Sequence, residues 1–152
     1  MFKRKKIAHL LFSAFFALGQ TAADETKLEP KIGTLIIEFD GLVNNKGEAL
    51  AAVYNKAKNF PKENQAIQNL KAKPVEKKCI IKADKIPYGD YAVAAMHDEN
   101  QSGNMDYNAI GLPKEKYGFS NNKRAGLFGP PNFKSCRFVI DKPLVKIKIT
   151  LK

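Results

Sequence analysis

Asp98, Asn100, Ser102, Asn104 and Asp106 have the clearest chemical spacing in the chain. They place oxygen-bearing side chains at alternate positions of Asp98-Glu99-Asn100-Gln101-Ser102-Gly103-Asn104-Met105-Asp106. With Asp98 as position 1, side-chain oxygens fall at 1, 3, 5 and 9 and a glycine at 6, while Asn104 at 7 offers its carbonyl. A calcium loop wraps a hard cation with this spacing, the glycine permitting the sharp turn. The match lapses at position 12, which is Ala109 where a bidentate glutamate ordinarily closes the shell, so Glu115 or another group must substitute. Calcium held here is expected to be structural and of modest affinity, ordering the loop, because Asp98 and Asp106 are the main anionic ligands. A metal-free turn is the alternative, since Asp and Asn side chains also bond their own backbone and tolerate left-handed geometry.

Catalytic chemistry is weaker. Apart from His9 near the amino terminus, His97 is the one histidine, which rules out a multi-histidine zinc site within the mature chain. A loop-anchoring role suits His97 better than a catalytic one. Ser120 and Ser135 lack an evident base and acid partner, and metal ligation explains the Asp98/Asp106 spacing better than glycoside hydrolysis. Gly126-Leu127-Phe128-Gly129-Pro130-Pro131 has neither the lysine nor the following helix of a phosphate cradle. It is expected to form a rigid turn that packs Phe128 and Phe133 beneath the loop; exposed, they would mark a binding face. No catalytic residue is assigned. The competing enzyme reading is a hydrolase-type site joining His97, Asp98, Glu115 and Tyr117, and a third is a purely structural envelope protein.

These residues must be held by strands. Leu35, Ile37 and Phe39 alternate with polar neighbours in Gly33–Phe39, a period of two that predicts a strand. Turn residues Asn44–Gly47 lead to a second strand, Glu48–Tyr54, and the two read as a hairpin. Apolar residues at helical spacing over Lys62–Leu70 predict a short surface helix or an irregular insertion between Asn55 and Pro74. Strand character returns in Lys78–Ala83, again over Tyr91–Met96 after the turn Ile86–Tyr91, and over Phe133–Ile140. The last strand is the clearest: Val145, Ile147, Ile149 and Leu151 face one way, Lys146, Lys148 and Lys152 the other. Between Asp98 and Asn132 periodicity vanishes, and an ordered loop of such length is expected to be functional.

The chain opens with Lys3, Arg4, Lys5 and Lys6 and an apolar run from Ile7 to Leu18, followed by Thr21-Ala22-Ala23. This is the pattern of a secretory signal cleaved after Ala23, and the run is too short for a membrane-spanning helix. The expected organisation is a signal peptide over 1–23, a leader over 24–32 and one domain over 33–152, periplasmic or secreted, with no anchor after cleavage. Cleavage would remove four basic residues and no acidic one, lowering the net charge from +11 to +7. The remaining lysines mostly form solvated strand faces that guard edges, leaving a weak attraction to anionic surfaces. Only Arg124 and Arg137 remain as arginines, and no recognised motif accompanies them, which argues against nucleic acid. In an oxidising compartment Cys79 and Cys136 suggest one disulfide, with two free buried thiols as the alternative.

The run Tyr91-Ala92-Val93, His97-Asp98-Glu99-Asn100, Gly103, Asp106, Asn108, Gly111-Leu112-Pro113-Lys114-Glu115, Tyr117-Gly118-Phe119-Ser120-Asn121-Asn122 and Phe128–Phe133 resembles a bacterial secreted or periplasmic family. That family is known only as a domain of unknown function, family 2141. The resemblance covers nearly all of the mature chain and implies an envelope protein with no established activity, its ligand an unknown envelope or extracellular molecule. Ser102 stands where the family often has Asn or Asp. The turn Ile86–Tyr91 also resembles the Pro-x-Gly-x-Tyr turn of transthyretin-like and other Greek-key modules. The expected fold is therefore all-β, an antiparallel Greek-key sandwich of immunoglobulin-like or transthyretin-like kind, with one long ordered loop and at most one short helix.

Overall fold

A computed structural model describes residues 30–126 and 128–152. The signal segment, its cleavage point at Ala23 and most of the leader lie outside the described residues. Eight strands follow in chain order: β1 (Ile32–Asp40), β2 (Glu48–Tyr54), β3 (Gln68–Ala72), β4 (Cys79–Pro87), β5 (Gly89–Asp98), β6 (Tyr117–Phe119), β7 (Phe138–Ile140) and β8 (Leu144–Thr150). One sheet has the order β4-β1-β8; the other has the order β3-β2-β5-β6, with β7 also on β5.

The period-two pattern explains how the sheets meet. Leu35, Ile37 and Phe39 of β1 and Ile149 of β8 point toward Ala49, Ala51 and Val53 of β2 and Val93 of β5, forming one buried cluster between the sheets. The five-stranded sheet is covered on its other face too, where Tyr54, Phe60, Ala92, Phe119 and Cys136 form a second cluster. Covering on both faces is why β5 reads as a continuous apolar run rather than an alternating one.

Several expectations are corrected. β1 and β2 do not form a hairpin, because Asp40–Gly47 carries the chain from one sheet to the other so that each strand buries its apolar face in the shared core. The sandwich is not wholly antiparallel: β1 runs parallel to β8, with Ile37 opposite Ile147. Of the two forms expected between Asn55 and Pro74, the irregular insertion is found, without a helix over Lys62–Leu70 and with β3 at its end. The segment after Pro61 is irregular, with Asn64 at φ 57°, until the Ile67 N–H bonds the Val53 carbonyl at 2.8 Å and opens the pairing of β3 with β2. The start of the expected strand Phe133–Ile140 is instead a helical turn, α1 (Phe133–Cys136), capped by the Asn132 side chain accepting from the Ser135 N–H at 2.9 Å. The Cys79–Cys136 disulfide is absent and both thiols are free and buried. Cys79 belongs to the cluster between the sheets and Cys136 to the cluster on the far face of the five-stranded sheet, so that sheet lies between them.

Candidate functional site

Alternation along β5 turns Val93, Ala95 and His97 toward the inter-sheet core and Ala94, Met96 and Asp98 toward the opposite face. His97 is wholly buried, 0% exposed. Its Nε2 lies 2.9 Å from the Lys46 carbonyl and its Nδ1 accepts from the Val43 N–H at 3.4 Å, so a proton on Nε2 satisfies both ring nitrogens. His97 therefore ties the 41–47 crossing to the end of β5. It does not join Asp98, Glu115 and Tyr117, and the grouping of four for a hydrolase-type site does not form. Gly47, at φ +65°, makes the closest approach, since an added Cβ would lie 1.9 Å from the Asp98 carbonyl oxygen.

Asp98 is 1% exposed. Its Oδ1 accepts from the Ser102 N–H at 3.1 Å and its Oδ2 from the Gly103 N–H at 2.8 Å, winding the following residues into a turn around the carboxylate. Gly103 takes φ +80°, as expected of a glycine at that corner. Asn100 donates from Nδ2 to Asp106 Oδ2 at 2.6 Å and accepts at Oδ1 from the Ser102 N–H at 3.1 Å. The Ser102 hydroxyl donates to the Asn104 carbonyl at 2.9 Å. Glu115 closes the ring from the far side, its Oε2 accepting from the Asp106 N–H at 3.1 Å. All six residues singled out from the sequence thus meet in one hydrogen-bonded turn.

Three carboxylates are neighbours there. Burial pushes the Glu115 carboxyl above its ordinary value; the Asp106 N–H draws it back, and the Asp98 and Asp106 charges push it up again. Lys71, whose ammonium feels Asp98, is held by Glu48 at 2.8 Å. Among the described residues none of Asp98, Asp106 and Glu115 forms an ion pair. Nor does any group of three or more His, Cys, Asp or Glu side chains stand in a ready-made metal-holding arrangement. The oxygens of the turn presently serve backbone N–H groups and the Asn100 amide.

Beside the turn is a feature that periodicity did not announce. An open cleft of about 810 Å³ lies on the outer face of the five-stranded sheet. Its floor consists of two cross-strand rows, Leu50–Met96–Tyr117 and Ala52–Ala94–Phe119. Met105, Leu112 and Pro113 from one part of the long loop and Gly126 and Pro130 from another line it, with Pro61 and Asn64 supplied by the 55–67 insertion. The alanines of β2 and β5 are the sequence signal: methyl side chains in mid-strand leave room above the sheet. Ser120, weighed as a nucleophile, is instead a buried bracket that accepts from the Val93 N–H at 2.9 Å and donates to the Cys136 carbonyl at 2.6 Å.

A family model described as "uncharacterized protein conserved in bacteria", domain of unknown function 2141, matches residues 37–148. The chain belongs to this family. The match to family 2141 runs from the middle of β1 into β8 and contains the carboxylate turn and every lining residue of the cleft. No curated protein and no solved structure matches the chain. No helix among the described residues of this family 2141 member is long and apolar enough to cross a membrane.

Proposed function

We propose that this protein is an exported envelope module that binds a ligand in the cleft above β2, β5 and β6, with calcium at the Asp98–Asp106 turn as a structural ion that fixes the cleft's loop wall. The cleft carries this reading. Its volume lies within the several-hundred-Å³ range of small-molecule sites, and residues 103–113 and 125–130, on either side of β6, build much of its lining. The calcium part rests on Asp98, Asp106 and Glu115, neighbouring carboxylates that form no ion pair among the described residues, beside the Ser102 hydroxyl and Asn104 carbonyl. Exchanging Asn100's hold on Asp106 for a cation would turn oxygens that now serve hydrogen bonds into ligands. Passage of β1 to β2 between sheets and the parallel closure of β1 with β8 support an immunoglobulin-like or transthyretin-like Greek-key topology.

Calorimetric titration of the protein with calcium tests the ion. Saturable heat that disappears in Asp98→Ala with Asp106→Ala is expected; no heat at millimolar calcium would sink it. The cleft is tested with the uncharged fluorophore N-phenyl-1-naphthylamine. Its fluorescence is expected to rise on binding wild type and to fall several-fold in Ala94→Phe, which fills the floor, whereas equal signals from both proteins would remove the cleft from the account.

A further inference from the structure

We infer that the chain docks on an anionic lipid surface through the exposed Phe128 and the cations Lys123 and Arg124 that shortly precede it in the chain. Gly126 and Gly129 bond each other's backbones at 2.8 and 3.2 Å, pairing the chain on either side of Phe128. Phe128 is 100% exposed. This departs from the packed position expected for it, while Phe133 does pack, its ring centroid 6.0 Å from that of Phe60. A second pairing, of Tyr107 with Pro113, presents Ile110 at 79% exposure. Phe128 and Ile110 are the most exposed large apolar side chains among the described residues, and both paired stretches help line the cleft.

Charge accompanies Phe128. Lys123, Arg124 and Lys152, with Asn122 and Tyr117, line a small pocket of about 110 Å³ that has no acidic side chain in its lining. None of the three cations forms an ion pair among the described residues. Phe128 follows Arg124 by four positions, so their Cα atoms lie at most about 14 Å apart. A membrane interface offers phosphates with an acyl boundary roughly 5–10 Å deeper, so cations at headgroup depth leave Phe128 able to reach the apolar layer. A protein partner would require a contiguous face of about 800 Å² per side, whereas lipid accepts single protruding side chains. Nucleic acid would require exposed aromatic platforms beside the cations, and the aromatic in this pocket, Tyr117, is half-buried with its ring packed edge-on against Phe119.

The sequence contains no tryptophan, so Phe128→Trp makes that position the sole tryptophan reporter in the full chain, independent of the apolar amino-terminal segment. Phosphatidylglycerol vesicles are expected to blue-shift its emission, brominated acyl chains to quench it, and phosphatidylcholine vesicles to do neither. Each surface cation contributes roughly fivefold to such binding, so Lys123→Glu with Arg124→Glu is expected to weaken it by about 25-fold or more. Ala94→Phe is expected to leave it unchanged, which separates this docking from cleft binding. Since Phe128 packs against nothing, an unchanged melting temperature is expected for the reporter variant. Solvent-like emission with phosphatidylglycerol would overturn the inference, as would a blue shift indifferent to charge reversal. Competition by millimolar inorganic phosphate without any vesicle response would also overturn it, in favour of a free-anion pocket.

Discussion

Glu115 bears a carboxyl raised above its ordinary value of 4.5, first by burial and then by Asp98 and Asp106. The sign of its effect follows. Below pH 4.5 the side chain is protonated both folded and unfolded; as pH rises, the unfolded chain releases the proton first, so stability is lost until the folded value has been passed. Calcium-free melting temperature is therefore expected to fall across that window, and Glu115→Gln to flatten the fall while abolishing stabilisation by calcium. Wild type at 100 times its dissociation constant is expected to gain about 2.7 kcal/mol. Ser120→Ala leaves the Val93 N–H and Cys136 carbonyl without their buried partner, at a cost of about 1–3 kcal/mol in denaturant unfolding. The thiols of Cys79 and Cys136, both raised by burial, are expected to alkylate on unfolding without reductant. A bridged peptide in the mass spectrum would contradict their placement in separate clusters.

At the scale of the element, legibility depended on whether a segment's structure is set by its own residues. β2 and β8 show their alternation in the sequence because one face of each is apolar and the other polar, small or only half buried. β3 does not: as a sheet edge it reads Gln-Asn-Leu-Lys-Ala, and its identity comes from pairing with β2. The turn at α1 depends on one side chain, Asn132, which an apolar pattern around Phe133 and Phe138 masks. The carboxylate turn was readable because its oxygens serve their own backbone within six residues. Gly47 was not readable as part of it, since it meets Asp98 from about fifty residues away in the chain. Gly47→Ala is expected to destabilise by about 1–3 kcal/mol through its left-handed backbone and the approach to Asp98, and to weaken the calcium response. An unchanged calcium titration would detach β2's turn from the site.

For the whole molecule, the partners of each strand were what the sequence concealed. Period two states which face is buried, but not whether β1 lies beside β2 or β8. The core that results is shared by both sheets, so Ile149→Ala is expected to cost about 2–5 kcal/mol and to lower the single unfolding transition as a unit. The cleft was equally hidden, for it arises where small β2 and β5 side chains meet loops from three distant stretches of chain. Gly103 and Asn104 of the carboxylate turn stand in its lining, which joins residue, loop and molecule. The most direct measurement is an amide NMR titration of the folded protein with calcium. Saturable shifts are expected at Ser102, Gly103 and Asp106, spreading to Met105 and Leu112 on the cleft wall and lost in Asp98→Ala. Amide positions unmoved at millimolar calcium, or shifts confined to residues away from the turn, would contradict the account.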